Sequence, residues 1–181
     1  MGSKILPKGK MITRTFSMRK DLVEALEKEA HSRGISTSAL MNQTVEHCVN
    51  LVWPSNKTGA LVIARDIVQS ILNLLPAEEV RKIGVLAAQG HKSTAMILMG
   101  TQQNFEAVLD LLDVNYGKNS RWFKLSHDVN GRDHRILLNH EMGIKWSCFL
   151  EGYMRSFFME MLDIPVKSSY MENTVVLEYR T

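Results

Sequence analysis

The sequence predicts an α+β protein, in which a short strand and two helices precede a C-terminal α/β domain. Residues 11–18 alternate between small hydroxyl side chains and mainly apolar ones, as a half-buried strand does. Apolar residues then recur at helical spacing in several later segments. Asn130-Gly131, with alternating residues on both sides, is the pattern of a β-hairpin.

The predicted N-terminal strand has two chemically different faces. Its hydroxyl face carries Thr13, Thr15 and Ser17, while Arg14 interrupts an otherwise apolar opposite face. A helix is expected to begin around Lys20, because Leu22, Leu26 and Ala30 then form a single stripe. Gly34 is a natural residue to end that helix, and Ser36 can cap the next one. The apolar side of this second helix is Leu40, Met41, Val45, Cys48 and Val49.

One strand and two short helices do not enclose an independent core, because about 40 residues bury too little apolar surface. A lone strand also leaves its backbone N–H and C=O groups unpaired. Antiparallel pairing of the strands from two copies solves both problems. The two hydroxyl faces then form one ribbon that the major groove of DNA can admit. The sequence therefore predicts a homodimer.

Charge is unevenly distributed along the chain. The first 50 residues hold eight basic and five acidic side chains, whereas the remaining 131 hold fourteen of each. All of the net charge of +3 therefore lies in the N-terminal part, and residues 1–20 contain no acid. This asymmetry indicates either an end that faces a polyanion or a solvated basic tail.

The segments TFSMRKDLVEALEKEA (residues 15–30) and RGISTSAL (residues 33–40) resemble the ribbon-helix-helix family of Arc and MetJ type. The resemblance covers about residues 11–50 and implies that outward strand side chains contact bases. It also implies that the start of the second helix holds a DNA phosphate, where free N–H groups and the helix dipole favour an anion. Small hydroxyls discriminate weakly, so DNA shape or the basic arm would add specificity. The expected DNA-binding residues are Lys10, Thr13, Arg14, Thr15, Ser17, Arg19, Ser36, Thr37 and Ser38.

The predicted domains are a ribbon-helix-helix unit over residues 1–53, a linker over 54–59 and a second domain over 60–181. In the second domain, helices are predicted over residues 60–75, after Pro76, after Asn104 and over 143–163. Gly90-His91 is expected to interrupt the helix after Pro76. Residues 94–99 fit a strand or a helical turn, and as a strand they would complete a ferredoxin-like βαββαβ order with the strand at 175–179.

The Asn130-Gly131 signature predicts a type I′ turn that places His127 directly opposite His134, with Cβ atoms about 5 Å apart. Imidazoles bind nickel, zinc or copper, and this layout is similar in outline to nickel-sensing ribbon-helix-helix regulators. A metal would need further ligands, and His140 lies about 20 Å beyond His134 on an extended strand. We expect an ordinary histidine pair without a metal, unless a second protomer supplies ligands.

Several function classes are not expected. The chain has no P-loop, GxGxxG, HExxH or GxSxG motif and no nucleophile–base pairing, so we expect neither an enzyme nor a cofactor. No apolar run approaches the roughly 18 to 20 residues of a membrane span, and the first residues are too polar for a signal peptide. Cys48 and Cys148 form no disulfide framework, so a cytoplasmic protein is expected.

The expected function is a sequence-specific transcriptional regulator that acts as a homodimer or higher oligomer. Its expected partners are double-stranded DNA and a second copy of the chain, with a small-molecule effector as a further candidate. The alternatives are an antitoxin whose C-terminal part binds a toxin, a metal-responsive regulator, or an ordinary strand-helix-helix piece of a larger core. The aromatic and methionine residues of 143–163 indicate packing or a ligand pocket.

Overall fold

The computed structural model describes residues 12–53, 56, 61, 63–99 and 104–180. Over these residues the chain forms six α-helices and one four-stranded antiparallel sheet, which confirms the α+β class. The helices are α1 (Lys20–Ser32), α2 (Thr37–His47), α3 (Arg65–Asn73), α4 (Ala77–Met99), α5 (Phe105–Asp110) and α6 (Gly143–Leu162). The strands are β1 (Lys124–Asn130), β2 (Asp133–Asn139), β3 (Lys167–Met171) and β4 (Thr174–Arg180). Two π-helical segments, π1 (Cys48–Val52) and π2 (Leu111–Asn119), continue α2 and α5.

The connection between α1 and α2 has the predicted end signals. Gly34 has a φ of +65°, and the N–H groups of Gly34 and Ile35 donate to the carbonyls of His31 and Ala30. This is the Schellman arrangement, which needs a left-handed residue at the position of Gly34. The hydroxyl of Ser36 accepts a hydrogen bond from the Ala39 N–H at 3.1 Å. Both the glycine stop and the serine cap are therefore confirmed.

The predicted strand over residues 11–18 is not formed in the single chain. Residue 11 lies outside the described part, residues 12–19 belong to no strand, and the first strand begins at Lys124. A strand needs a partner for its backbone groups, and among the residues that the structure describes these have none. The predicted linker falls, except for Asn56, outside the residues described.

The ferredoxin-like prediction is wrong. Helix α4 runs without a break from Ala77 to Met99, so Gly90-His91 does not interrupt it and residues 94–99 are its last turns. Ala95, Leu98 and Met99 are buried, a spacing of three and four residues that fits a helix and not a strand. Gly90 does not break the helix because a single glycine costs only about 1 kcal/mol, and α4 packs extensively against α6.

The sheet has the order β1-β2-β4-β3, with every neighbouring pair antiparallel. The first hairpin is shifted from its predicted register, because Val129 pairs with His134 and His127 pairs with Ile136. The two loop residues are Gly131 and Arg132, and Gly131 has a φ of +63°. Glycine at the first central position is typical of a type II′ turn, so the turn residues lie one position later than predicted.

The core surrounds α6, which contacts α4 on one side and strands β3 and β4 on another. The close approach of α4 and α6 depends on two glycines. A Cβ on Gly84 would lie 2.2 Å from the Phe149 carbonyl oxygen, and a Cβ on Gly152 would lie 2.4 Å from the Arg81 carbonyl oxygen. The fully buried side chains of α6 are Leu150, Tyr153, Met154, Phe157 and Phe158.

Candidate functional site

The predicted strand face is accessible along its described length. Thr13, Arg14, Thr15 and Ser17 are all exposed, while Lys10 lies outside the described residues. Arg19 is also exposed, and its guanidinium contacts the carboxylate of Asp21 at 2.9 Å. An exposed pair of this kind contributes at most about 1 kcal/mol, so Arg19 can exchange Asp21 for a phosphate.

The opposite face of the same segment is apolar and equally exposed. Ile12 is 72% exposed and Phe16 is 80% exposed, and Met18 and Leu22 are exposed beyond them. On α2, Val45 is 51% exposed. In the described residues up to Trp53, the buried apolar side chains are Ala30 and Leu40, which are too few for a core.

The start of α2 has the properties of an anion-binding helix end. Ser36 caps Ala39, so the N–H groups of Thr37 and Ser38 precede the first hydrogen bonds of the helix. The first turn contains no acidic residue, and Ser36 and Ser38 are exposed while Thr37 is half-buried. The structure therefore places all three residues at one accessible helix end, where a phosphate oxygen would meet backbone donors.

The histidine pair survives the change of register, because His127 and His134 are now diagonal neighbours on the same face. The Nε2 atom of His127 lies 3.0 Å from Nδ1 of His134, and the two rings are stacked. Burial lowers the pKa of His127, and the positive charge of a protonated His134 lowers it further. Phe105 covers both rings. The nitrogens that a metal would use therefore face each other.

His140 and Cys148 take no part in this histidine pair. His140 Nε2 lies 2.9 Å from the Ser147 hydroxyl, and its Nδ1 accepts a hydrogen bond from the Met142 N–H. Cys148 is buried within α6. Among the residues that the structure describes, no group of three potential ligand side chains could hold a metal ion.

An open cleft of about 710 Å³ lies beside the start of β1 and was not predicted. Among the residues that the structure describes, four basic and two acidic ones contribute to its wall, together with Trp122, Phe123 and other apolar side chains. Much of this wall comes from one short stretch of sequence, residues 117–126, in which Lys118, Arg121 and Lys124 lie close to Trp122 and Phe123. That cluster is a signal that sequence reasoning missed. Sequence proximity could not have placed Arg65 in this cluster, since it lies more than fifty residues earlier. The six charged residues are Arg65, Asp113, Lys118, Arg121, Lys124 and Glu141.

The N-terminal helices contact the rest of the chain through π1 and π2. Asn50 and Asn115 are both buried, and the side-chain Nδ2 of Asn115 donates to the backbone oxygen of Asn50 at 3.1 Å. Segment π2 also contributes Asp113, Gly117 and Lys118 to the cleft. One short helical segment therefore contacts both the cleft and the end of the N-terminal unit.

Comparison with known proteins finds no family model and no curated sequence that matches the chain. Within the described ranges, no helix is both long enough and apolar enough to cross a membrane.

Proposed function

We propose that the protein is a dimeric, sequence-specific DNA-binding transcriptional regulator of the ribbon-helix-helix type. The observation that carries this proposal is that the large apolar side chains of residues 12–22 are exposed and alternate in sequence with exposed hydroxyl groups. Such a segment, without a core of its own, needs a second copy to bury its apolar side.

The dimer follows from the exposed apolar area. Ile12, Phe16 and Met18 alternate along one face, and Leu22 and Val45 lie on the adjoining helices. Burial of these side chains against a partner would stabilise the dimer by roughly 25 cal/mol for each Å² of apolar surface removed from water. Antiparallel pairing of two such segments would bury them and pair the backbone groups that the single chain leaves open.

DNA binding follows from what the paired segments would present. Thr13, Thr15 and Ser17 would form a ribbon of hydroxyl groups, which donate and accept hydrogen bonds at base edges. Arg19 and the N–H groups at the start of α2 would contact phosphates on either side. Arg14 alternates with the apolar side chains, so its long side chain would extend past the edge of the buried face to reach a phosphate. The excess of basic over acidic residues in the first 50 positions favours association with a polyanion.

The test is selection of bound sequences from a random duplex pool with the full-length protein, followed by affinity measurements at several salt concentrations. We expect enrichment of a palindromic or repeated site, because two symmetric half-sites match two protomers. We also expect affinity to fall steeply with salt, since phosphate contacts release counterions.

Two triple-alanine variants distinguish a loss of contacts to DNA bases from the general effect of removing exposed hydroxyl groups. Thr13→Ala, Thr15→Ala and Ser17→Ala together should abolish enrichment while salt-dependent duplex binding remains. The control carries Ser70→Ala, Ser93→Ala and Ser169→Ala, which remove three exposed hydroxyls elsewhere and should leave enrichment intact. If the wild-type protein enriches no sequence and binds no duplex in a salt-dependent way, the proposal is wrong.

A further inference from the structure

We propose that the cleft beside the start of β1 binds an organic anion with an apolar body, such as an aryl or alkyl phosphate or carboxylate. We also propose that this ligand is the effector of the N-terminal unit. The first part stands on the cleft alone, whereas the second rests on the proposed function.

The charges of the cleft leave two cations available. Asp113 pairs with Lys118, and the Glu141 carboxylate lies 3.5 Å from the Arg65 guanidinium. Within the described part of the chain, no carboxylate pairs with Arg121 or Lys124. The wall therefore carries a net charge of about +2, which favours a ligand with one or two negative charges.

Arg65 can also turn to a ligand. Its contacts with Glu141 and with the Arg121 carbonyl oxygen are long, at 3.5 and 3.4 Å, and its side chain is half exposed. An exposed pair at this distance contributes little, so a phosphate or carboxylate that accepts two parallel hydrogen bonds would displace it.

The backbone holds Arg121 in place at the edge of the cleft. Its φ is +55°, a left-handed conformation that costs a residue with a side chain about 1 kcal/mol. Three hydrogen bonds to π2 maintain it, from the N–H groups of Ser120, Arg121 and Trp122 at 2.9 to 3.0 Å. The side chain of Arg121 therefore starts from a fixed position, which lowers the entropic cost of binding a ligand.

The uncharged part of the wall indicates that the ligand is more than an inorganic ion. Phe123 and Met142 are buried and Trp122 and Leu125 are half-buried, so apolar side chains form part of the cleft wall beside the charged ones. Its volume of about 710 Å³ lies within the roughly 300 to 1,000 Å³ of small-molecule sites. A ring or short chain would cover this surface while its anionic group faces the cations.

Segment π2 provides the connection to the N-terminal unit. Asp113, Gly117 and Lys118 line the cleft, while Asn115 in the same segment donates to Asn50 in π1, the segment that continues α2. π-Helical turns are uncommon and occur frequently at functional sites. A ligand that shifts π2 would therefore act directly on the last turn of the second DNA-binding helix.

The binding test uses phenyl phosphate as the probe and full-length protein without DNA, monitored by tryptophan fluorescence. Benzyl alcohol has the ring without the charge, and inorganic phosphate has the charge without the ring. We expect phenyl phosphate to bind at least tenfold more tightly than either. We also expect Trp122→Phe to remove most of the fluorescence change, with isothermal calorimetry as the independent measurement.

Variants then locate the site. Arg121→Gly combined with Lys124→Gln should weaken phenyl phosphate binding about tenfold, and glycine at position 121 removes the backbone strain, so the fold is preserved. The control, Arg132→Gln with Lys167→Gln, removes the same charge from exposed positions outside the cleft and should bind normally. Equal affinity for phenyl phosphate and benzyl alcohol would overturn the proposal that the cleft binds an organic anion. Equal weakening of phenyl phosphate binding by both pairs of substitutions would overturn it as well.

The effector role is tested by measuring affinity for the selected DNA site with and without saturating phenyl phosphate. We expect a change of at least fivefold, within the usual range of coupling between two sites, and no change in the Arg121→Gly, Lys124→Gln variant. An unchanged DNA affinity in the wild-type protein would overturn the effector role. If no DNA site is found at all, the proposed function fails, while the fluorescence titration still decides the cleft.

Discussion

Replacing Gly84 by alanine would put a methyl group where helices α4 and α6 cross. The added Cβ would lie 2.2 Å from the Phe149 carbonyl oxygen and 2.9 Å from the Tyr153 backbone nitrogen. Both neighbours are backbone atoms of a helix, so no side-chain rotation relieves the contact. The two helices would have to separate by about 1 Å, which forfeits up to half of the dispersion energy across their contact.

The expected net effect is a loss of about 2 kcal/mol in the free energy of unfolding. Overpacking of a dense core costs about 1 to 3 kcal/mol, a contact with backbone atoms belongs at the upper end of that range, and the higher helix propensity of alanine offsets about 1 kcal/mol. For a chain of this length, a loss of about 2 kcal/mol lowers Tm by roughly 4 to 8 °C.

Gly90→Ala is the matched control, because Gly90 lies in the same helix with nothing within 4 Å of an added Cβ. It should stabilise the protein by about 0.5 to 1 kcal/mol. Urea unfolding of both variants, followed by circular dichroism at one protein concentration, gives the comparison, because dimer stability depends on concentration. If Gly84→Ala is as stable as Gly90→Ala, the argument from the helix crossing is refuted.

Three further predictions concern the strand and the histidines. Thr15→Ala should weaken specific DNA binding more than folding. Phe16→Ala should instead cost roughly 3 to 5 kcal/mol of dimer stability if the dimer fully buries Phe16. Equal thermal destabilisation by both variants would mean that the DNA-facing and buried sides of the segment are misassigned. Burial lowers the pKa of His140 from its ordinary 6.5 to about 4. Between pH 6.5 and pH 4 the unfolded chain therefore binds a proton at this histidine that the folded chain does not bind. The contribution of neutral His140 to the free energy of unfolding should be fully present above pH 6.5 and fall by up to about 3 kcal/mol towards pH 4. Urea unfolding at pH 7 and pH 4.5 measures this difference, and His140→Gln should reduce it. An unchanged difference in the variant would contradict the prediction. Protein dialysed without chelator should carry well under one transition-metal ion per chain, and about one ion, lost in His127→Ala, would indicate a metal sensor.

Local signals in the sequence predicted local structure well. Gly34 and Ser36 set the end of α1 and the start of α2, and the Asn104 side chain caps α5 by accepting from the Ala107 N–H. Helix α6 begins at Gly143 and ends before Asp163, as its apolar pattern predicts. These features depend on hydrogen bonds between residues close in sequence, so a short window of residues contains the information.

Patterns that fit two structures were resolved by packing. Residues 94–99 became helix because α4 lies against α6 along its length, whereas strand β3 was not predicted because its sequence, KSSYM, has no alternation of apolar and polar side chains. The hairpin turn moved one position, since Gly131 takes the left-handed φ as the first loop residue. The face shared by His127 and His134 was nevertheless predicted, because a shift of two residues in pairing keeps the side chains on the same side.

The sequence by itself determined the α+β class, the end of α1, the caps of α2 and α5 and the bounds of α6, because each follows from local spacing and backbone chemistry. Only the tertiary structure decided the sheet order and the cleft. Arg65 on α3 meets Arg121 and Glu141 there, although they are 56 and 76 residues apart in the sequence. Contacts at that separation depend on how helices and sheet pack as whole bodies, and no periodicity in a single segment encodes that packing.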